Sequence, residues 1–356
     1  MDIMGISMTV LTVLLGAIGV TVFGIVLGLI YKGIDRKIAA HMQGRIGPPL
    51  IQPFRDVRKL LVKENIVPEN AIDWIFNLVP LLGLGATITI LMYLPFGGLP
   101  SVLDGFVSAK GDLLVILYLL ILPSLAMVIG GFASGSPYAT VGAQREMATM
   151  IAYEFPLAII IISLAWRLSL VEGVTNVFAM STLLSTPIWS IVGPLGFVGA
   201  IILLLALVIV TPAELSKIPF DSPEAETEIA DGLMTEYSGR NLGMFYLTDG
   251  VKMVAMGTLI IALFFPYNLS PMLGLSSYAG TIVDIAFYLV KLFLVLLFSV
   301  TLIRVAVARL KIDQIVYTYW VPLTLIGFVV FICLLWDQPV MFIFSIPSMV
   351  EILGLA

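Results

Sequence analysis

The feature that most constrains this chain is a series of long apolar stretches that carry almost no charge. A helix of roughly 20 residues crosses a bilayer core about 30 Å thick, and the sequence supplies eight such stretches. Of all residues, 60% are hydrophobic and 12% charged, against about 25% charged in soluble domains. We predict an all-α, polytopic integral membrane protein with a single membrane domain over residues 1–356. The predicted spans are 8–31, 74–96, 113–133, 147–166, 188–210, 251–266, 284–304 and 318–336.

Lysine and arginine are distributed unevenly among the loops, and this bias predicts an orientation because cytoplasmic loops attract positive charge. The four loops that follow spans one, three, five and seven contain fourteen of the eighteen basic residues, and the opposite side has only Lys110 and Arg167. We expect a plasma-membrane protein with both termini outside and two long cytoplasmic loops. The first span has no basic residue before it, so we expect it to remain as a span.

Two shorter segments are predicted to lie outside the spans. Val340–Ile346 is too short to cross a bilayer and stands between two prolines, so it is expected at the membrane interface. Asn176–Leu184 is expected in a surface loop.

The first long loop combines basic residues with an amphipathic pattern. Val57, Leu60 and Leu61 recur at helical spacing, which is typical of an interfacial helix held by lipid headgroups. Pattern alone favours that interpretation, and the alternative is a docking surface for a soluble partner. The candidate docking residues, here and on neighbouring loops, are Arg45, Gln52, Arg55, Asp56, Arg58, Lys59, Lys63, Arg145, Arg304 and Arg309.

The second long loop is acidic, with eight carboxylates between Pro212 and Gly250. Residues 221–232 have the pattern of a capped helix, with Asp221 or Ser222 as N-cap, Pro223 in the first turn and Gly232 at the end. On such a helix Glu224, Glu228 and Asp231 share one face, where like charges repel. Clustered carboxylates share protons and raise one another's pKa, so we interpret the cluster as a functional proton site.

Ionisable side chains inside the spans are costly in lipid and therefore mark ion paths. Asp249 and Lys252, three residues apart, are spaced for a local ion pair, whereas Asp284 and Lys291 lie about 10 Å apart along a helix axis. Glu154 has no evident local partner and is the strongest proton-relay candidate. The candidate ion-path and coupling residues are Glu154, Glu214, Asp221, Glu224, Glu226, Glu228, Asp231, Glu236, Asp249, Lys252 and Lys291.

Several classes of site are excluded by residue content. One cysteine, Cys333, and one histidine, His41, exclude a disulfide framework and any Cys/His-ligated zinc, haem or iron–sulfur centre on this chain alone. The sequence also has no nucleotide-binding glycine loop, no HExxH motif and no plausible nucleophile triad. We therefore expect no metal site, no catalytic residue and no nucleic-acid partner.

The two long loops also carry a resemblance to a known family. The most specific motifs are AELSKIPFDSPEAETE at 213–228 and TEYSG at 235–239, with further matches at Gln52-Pro53, Lys59-Leu60, Lys63-Glu64, Tyr153-Glu154 and Asp313-Gln314 and at Arg145, Arg304 and Arg309. From about Arg45 to Trp320, the chain resembles the membrane-arm junction subunits of the complex I and membrane-bound NiFe hydrogenase family. In NADH:quinone oxidoreductase, or respiratory complex I, this H-type subunit joins the membrane arm to the soluble arm.

Departures from the complex I pattern resemble the hydrogenase or sulfur-reductase branch. The first-loop motif is shortened before Gln52-Pro53, and Arg145-Glu146, Asp231 and Lys252 look like that branch. Complex I members usually have Arg at the position of Lys217 and Glu at that of Asp249.

The resemblance implies a membrane subunit of a ferredoxin-linked complex that docks the soluble redox arm and couples electron transfer to H⁺ or Na⁺ translocation. Iron–sulfur clusters and a NiFe centre would lie on partners, namely an iron–sulfur small subunit and a NiFe-type large subunit. Antiporter-like membrane subunits would stand beside the chain in the bilayer.

Three other interpretations remain open. The same loops would line a quinone chamber in a complex I subunit, and they would only hold the soluble arm in a passive anchor. A free-standing secondary transporter is disfavoured, because two long charged loops on one face indicate a docked partner. The sequence leaves open the coupled ion and the terminal electron acceptor.

Overall fold

Helices dominate the computed structural model, which describes residues 3–97, 102, 112–171, 173–174, 176–275 and 278–344. Among these residues, eight helices are long and apolar enough to cross a membrane. This confirms the predicted all-α, multi-pass membrane architecture. The helices are α1 (Ile3–Met42), α2 (Gln52–Val62), α3 (Asp73–Tyr93), α4 (Asp112–Ala133), α5 (Pro137–Ser169), α6 (Met180–Ser185), α7 (Ile188–Ile191), α8 (Pro194–Glu214), α9 (Glu226–Ile229), α10 (Gly239–Phe264), α11 (Tyr278–Leu296), α12 (Leu302–Ala306), α13 (Ile312–Thr318) and α14 (Thr324–Phe344).

The last two spans are each built from two helices joined by a π turn. Leu297–Thr301 joins α11 to α12, and Tyr319–Leu323, which contains Pro322, joins α13 to α14. A π turn accommodates an extra residue without breaking the helix axis, so each pair acts as one span.

Helix α10 is the central helix of the bundle. Of its most apolar stretch, 94% is buried, against 28–61% for the other spans. It packs against α1, α3 and α11, and Gly28 of α1 meets the backbone of Gly250 so closely that a Cβ on Gly28 would lie 2.6 Å from it. Polar side chains on α10 therefore face protein rather than lipid.

Several helices extend beyond their predicted spans. Helix α1 continues to Met42, so Lys32 and Asp35, which the sequence placed in the first loop, lie on it with only 7% and 8% of their surface exposed. Helix α10 begins at Gly239, twelve residues before the predicted start. A prediction that ends each span at the first charged residue is too short wherever that residue is paired inside the protein.

Both predictions for the shorter segments need correction. Helix α14 continues through Pro339 to Phe344, so a separate interfacial segment at Val340–Ile346 is wrong as far as Phe344, and residues 345–346 lie outside the described residues. The predicted surface loop Asn176–Leu184 is also wrong at its end. Met180 and Leu183 are 3% and 2% exposed because α6 packs against α10.

A buried ion pair joins α5, α8 and α14 at the end of the bundle opposite the long loops. Asp337 is 1% exposed and accepts hydrogen bonds from the backbone N–H groups of Gly193 and Gly196, at 2.8 and 2.7 Å. Its other partner is Arg167, at 3.2 Å. Asp337 therefore ties the start of α8 to α14 and neutralises a buried guanidinium.

Replacing Asp337 by Ala is expected to lower the free energy of unfolding by about 3–5 kcal/mol, because it leaves Arg167 buried without a counter-charge. Unfolding by SDS titration in mixed micelles measures this loss. Asp313→Ala is the matched control, since Asp313 is an exposed carboxylate in the first turn of α13. Equal stability of the two variants would contradict a structural role for the pair.

Candidate functional site

The acidic loop does not form the single helix predicted for residues 221–232. A 3-10 turn at Ser222–Glu224 precedes the one-turn helix α9 at Glu226–Ile229. Ala230 and Asp231 then adopt left-handed backbone, with φ of 51° and 68°. The helix therefore ends at Ile229, three residues before the predicted end at Gly232, and the prediction of one capped helix is wrong.

The predicted acidic face of Glu224, Glu228 and Asp231 is wrong for the same reason. Glu224 is half-buried and points into the cavities described below, whereas Glu228 and Asp231 are exposed. Glu228 accepts a hydrogen bond from Arg145 Nη1 at 2.6 Å. Its charge is therefore neutralised by α5 rather than shared with Glu224.

A cavity of about 390 Å³ opens beneath the acidic loop, and we call it the loop-side chamber. It lies between α1, α10, the acidic loop and the segment after α12. Six acidic and five basic side chains line it, so its charges nearly balance. They are Asp35, Asp221, Glu224, Glu226, Asp231 and Asp249, with Lys32, Arg36, Lys217, Arg304 and Arg309.

Asp249 is the charge centre of this chamber. Its Oδ2 lies 2.7 Å from the Nζ atom of Lys32 and 2.7 Å from that of Lys217. Lys32 is also held by the carbonyl of Tyr246 at 3.0 Å and stands 3.3 Å from the centre of the Tyr246 ring. The predicted local pair between Asp249 and Lys252 is therefore wrong, because Asp249 faces α1 and the acidic loop.

A second cavity of about 120 Å³, the inner chamber, reaches into the bundle between α4, α10 and the end of α8. Lys252 lies there, 2.8 Å from Glu214 Oε1, and donates to the hydroxyl of Ser124 at 2.9 Å. The Lys252 and Glu214 side chains are 4% and 2% exposed. The volume admits water, so the chamber can hold a charge that is separated from lipid.

Glu146 of α5 is a functional candidate that the sequence reasoning missed. It is 1% exposed, its Oε2 accepts a weak hydrogen bond from the Ser216 hydroxyl at 3.5 Å, and its Oε1 forms no hydrogen bond with the described residues. The positive charge that acts on it is that of Lys252. A buried carboxylate with an unused oxygen is positioned to take up a proton.

The two chambers adjoin, and we call the region that they share the neck. Six residues line both of them, namely Ser216, Lys217, Glu224, Met234, Tyr246 and Asp249. The neck is therefore built around the Lys217–Asp249 ion pair, with Glu224 beside it. Charges at the loop surface and charges inside the bundle are connected through these side chains.

Among the charged groups at the neck, Glu224 has a pKa close to neutral pH. Burial raises the pKa of Glu224 to about 7, although Lys217 pulls it downward. Burial alone would lower the pKa of Lys217, but Asp249 and Glu224 together raise it above its ordinary value. Lys217 thus stays charged, while Glu224 changes its charge in the physiological range.

Comparison with known proteins identifies the family. The sequence profile described as NADH dehydrogenase matches residues 15–335, which is most of the chain. The chain belongs to the NADH dehydrogenase family. Within this family it is an H-type membrane component of complex I-like complexes.

The relatives of this family member include both quinone oxidoreductase and hydrogenase components. The H-type subunit of the NADH-quinone oxidoreductase from Syntrophotalea carbinolica is 32% identical over 83% of this chain and 88% of its own length. A corresponding NADH-quinone oxidoreductase subunit of Koribacter versatilis is 34% identical, and the match spans 60% of that protein. Hydrogenase-4 component C of Escherichia coli is 34% identical over 71% of this chain and 76% of its own length.

A solved structure has the same fold. It is a chain of the membrane-bound sulfane sulfur reductase, an archaeal respiratory membrane complex. The TM-score is 0.76 at 30% identity, over 90% of this chain and 99% of that one.

In this NADH dehydrogenase family member, the first loop contains the predicted amphipathic helix, α2. Pro53 and Val57 are buried, and Leu60 packs near Gly243 of α10. Asp56 accepts hydrogen bonds from Arg36 and from Gln52, at 3.1 and 2.8 Å. The predicted docking cations of this loop all remain exposed, namely Arg45, Arg55, Arg58, Lys59 and Lys63.

Three other arginines predicted to dock a partner form ion pairs within the chain. Arg145 binds the acidic loop through Glu228, and Arg304 binds Asp35 at 2.8 Å. Arg309 donates to both oxygens of Asp221, at 2.8 and 2.5 Å. Asp221 is the N-cap residue of the 3-10 turn, as predicted, but its side chain binds Arg309 and makes no capping hydrogen bond. Arg145 and Arg309 fasten the acidic loop, whereas Arg304 is held by α1. The part of all three in docking stays a prediction.

The remaining predicted path residues lie away from the neck. Glu154 is half-buried and lines neither chamber, although its charge acts on Glu214. Glu226 is exposed at the mouth of the loop-side chamber, and Glu236 is half-buried. Lys291 donates to the carbonyls of Phe265 and Tyr267, at 2.9 and 2.8 Å, beyond the end of α10. Lys291 therefore holds a loop at the opposite end of the bundle.

Proposed function

We propose that this chain docks the soluble redox arm of a ferredoxin-linked, complex I-like complex and couples electron transfer to ion translocation. The main support for this proposal is the pair of charged chambers that meet inside the bundle at Lys217, Glu224 and Asp249. The relatives in hydrogenase-4 and in the sulfane sulfur reductase support the hydrogenase or sulfur-reductase branch.

In this proposal, electron transfer in the soluble arm changes the charge at the mouth of the loop-side chamber. The neck passes the change to Lys252 and Glu214 as a proton or as an electric field, because buried charges are weakly screened. Glu146 and Glu154 then respond. The ion itself is H⁺ or Na⁺, and antiporter-like membrane subunits beside the chain would complete its path.

The partners in this proposal are an iron–sulfur small subunit and a NiFe-type large subunit, which would carry the redox cofactors. Among the residues that the structure describes, no group of three or more His, Cys, Asp and Glu side chains is arranged to hold a metal ion. The chain would supply position and charge to the complex. Purification of the native complex and identification of its subunits by mass tests this composition.

A quinone chamber is the second candidate function, supported by the quinone oxidoreductase relatives and by the apolar side chains of Met127, Leu242 and Phe245 in the inner chamber. Small-molecule pockets typically enclose about 300–1,000 Å³, and the inner chamber is about 120 Å³. The adjoining loop-side chamber reaches this range at about 390 Å³, but its lining is charged, whereas ligand pockets are mostly apolar. This charged lining favours ion coupling over quinone binding. Loss of electron transfer with a quinone-site inhibitor would favour the quinone chamber.

The exposed cations of the first loop are proposed to bind the soluble arm. Reversing Arg45 and Arg55 to Glu should release this arm during purification while the membrane part stays folded, because both side chains are exposed and neither is in an ion pair within the described residues. The matched control reverses two other exposed cations, Arg240 and Lys311. Stable assembly of the Arg45→Glu, Arg55→Glu variant would leave only a lipid contact for this loop.

The proposed orientation puts both termini outside and the long loops in the cytoplasm. Ile46 and Met272 are 87% and 82% exposed and lie in loops at opposite ends of the bundle. In a Cys333→Ser background and in sealed right-side-out vesicles, an impermeant thiol reagent should label Met272→Cys but not Ile46→Cys. Labelling of Ile46→Cys alone would reverse the orientation.

A further inference from the structure

Lys217 occupies the point where the two chambers join. It lines both of them, together with Asp249 on α10 and Glu224 on the acidic loop. It follows the last turn of α8, where Ser216 has a left-handed φ of 48°, so its backbone belongs to a loop and not to a rigid span. Its long flexible side chain bears a charge between two carboxylates.

The Lys217–Asp249 contact is backed by a second cation. Lys32 binds the same Oδ2 of Asp249 at the same distance, 2.7 Å, and is itself anchored by the carbonyl and ring of Tyr246. Removing a partner from a buried charge is costly when it leaves that charge alone. Here Asp249 keeps Lys32, so Lys217 can leave Asp249 without leaving it unpaired.

Glu224 is the alternative carboxylate partner of Lys217. The two charges attract each other, and Glu224 is the strongest carboxylate partner of Lys217 after Asp249. Two other carboxylates around the neck are paired with arginines, Asp221 with Arg309 and Asp35 with Arg304. The charged groups around Glu224 are Lys32, Asp35, Arg36, Lys217, Asp221, Glu226, Asp231, Asp249, Arg304 and Arg309 on the loop side, with Glu146, Glu214 and Lys252 on the inner side.

We infer that Lys217 is a movable gate, which closes the neck when it binds Asp249 and opens it when it binds ionised Glu224. In the closed position the ion pair separates the inner chamber from the loop-side chamber. Ionisation of Glu224 draws Lys217 toward the acidic loop and admits water and ions to Lys252 and Glu214. This inference rests on the proposed function and specifies how its chambers are connected.

Access to the inner chamber tests the gate directly. Thr248 is 3% exposed and lines the inner chamber but not the loop-side chamber. In the purified complex with a Cys333→Ser background, the reaction of Thr248→Cys with the neutral reagent 2-hydroxyethyl methanethiosulfonate is measured between pH 6 and 8.5. Each rate is divided by that of Ile46→Cys, an exposed thiol that corrects for thiol ionisation.

The normalised rate should rise about tenfold over this pH range, because the ionised fraction of a carboxyl with a pKa of about 7 rises by that factor. Lys217→Met should react quickly at both ends of the range, and Glu224→Gln slowly at both. Lys217→Arg, which keeps the charge, should retain the pH dependence.

Equal normalised rates in the parent, Lys217→Met and Glu224→Gln proteins would overturn the gate, as would a parent rate that does not change with pH. Ion translocation is measured separately on an inner-chamber variant, Glu214→Gln. Normal translocation in that variant, with the expected labelling pattern, would refute the proposed function and leave the gate. The reverse result would refute the gate alone.

Discussion

Replacing Lys252 by Met is expected to abolish ion translocation and to destabilise the protein. Lys252 neutralises Glu214 at 2.8 Å in a site where both side chains are almost fully buried. Removing one partner of such a pair costs about 3–5 kcal/mol, because the remaining charge is left uncompensated. The free energy of unfolding in mixed micelles and translocation in proteoliposomes measure the two effects.

A double variant separates the structural effect from the functional one. In Glu214→Gln, Lys252→Met no uncompensated charge of the pair remains, so most of the lost stability should return. Translocation should not return, because the titratable groups are gone. Recovered translocation in the double variant would show that the pair only holds the fold.

Replacing Glu146 by Gln is expected to lower ion translocation at least about tenfold, since a well-placed proton-transfer group typically contributes about 100-fold or more. Gln keeps the shape and removes the charge. Glu228→Gln is the matched control on the acidic loop, and its effect should stay within about twofold, because Glu228 is exposed and paired with Arg145.

Glu154→Gln belongs in the same series. Its carboxylate lies outside both chambers but acts on Glu214, so translocation should fall in this variant also. A larger effect of Glu228→Gln than of Glu146→Gln would contradict the path through the inner chamber and favour a path along the loop surface.

The sequence predicts the number of spans well because lipid imposes a length and an apolar composition on each of them. It predicts their ends poorly where charge is neutralised inside the protein. Lys32 ends the first apolar stretch, yet α1 continues past it because Asp249, from a distant part of the chain, pairs with it. No local pattern reports such a partner.

For the functional site too, the sequence predicts which residues matter but not how they pair. Asp249, Lys252 and Glu214 were all predicted to be functional, because charges that remain in a membrane domain need a reason. Their pairing was not predicted, since it depends on how α1, α8 and α10 pack. Sequence spacing instead paired Asp249 with Lys252. Asp249 lines both chambers and binds Lys32 and Lys217, whereas Lys252 lines only the inner chamber.

Glu146 was missed because the predicted span began at residue 147, one position too late to include it. A signal was present in the sequence. Glu146 and Tyr153 are seven residues apart, which puts them on one face of a helix, and both prove to be buried. Extending the span backward through the apolar residues near Ala139 would have placed Glu146 inside it.

The most direct test of the account is the number of ions translocated per electron in the complete complex carrying Glu214→Gln, reconstituted into proteoliposomes. Electron transfer by the soluble arm with artificial donors should persist, because that arm is proposed to carry the redox centres. Ion translocation per electron should fall toward zero, since the buried charge that receives the signal is lost. An unchanged ratio would contradict the account and leave this chain as a passive membrane anchor.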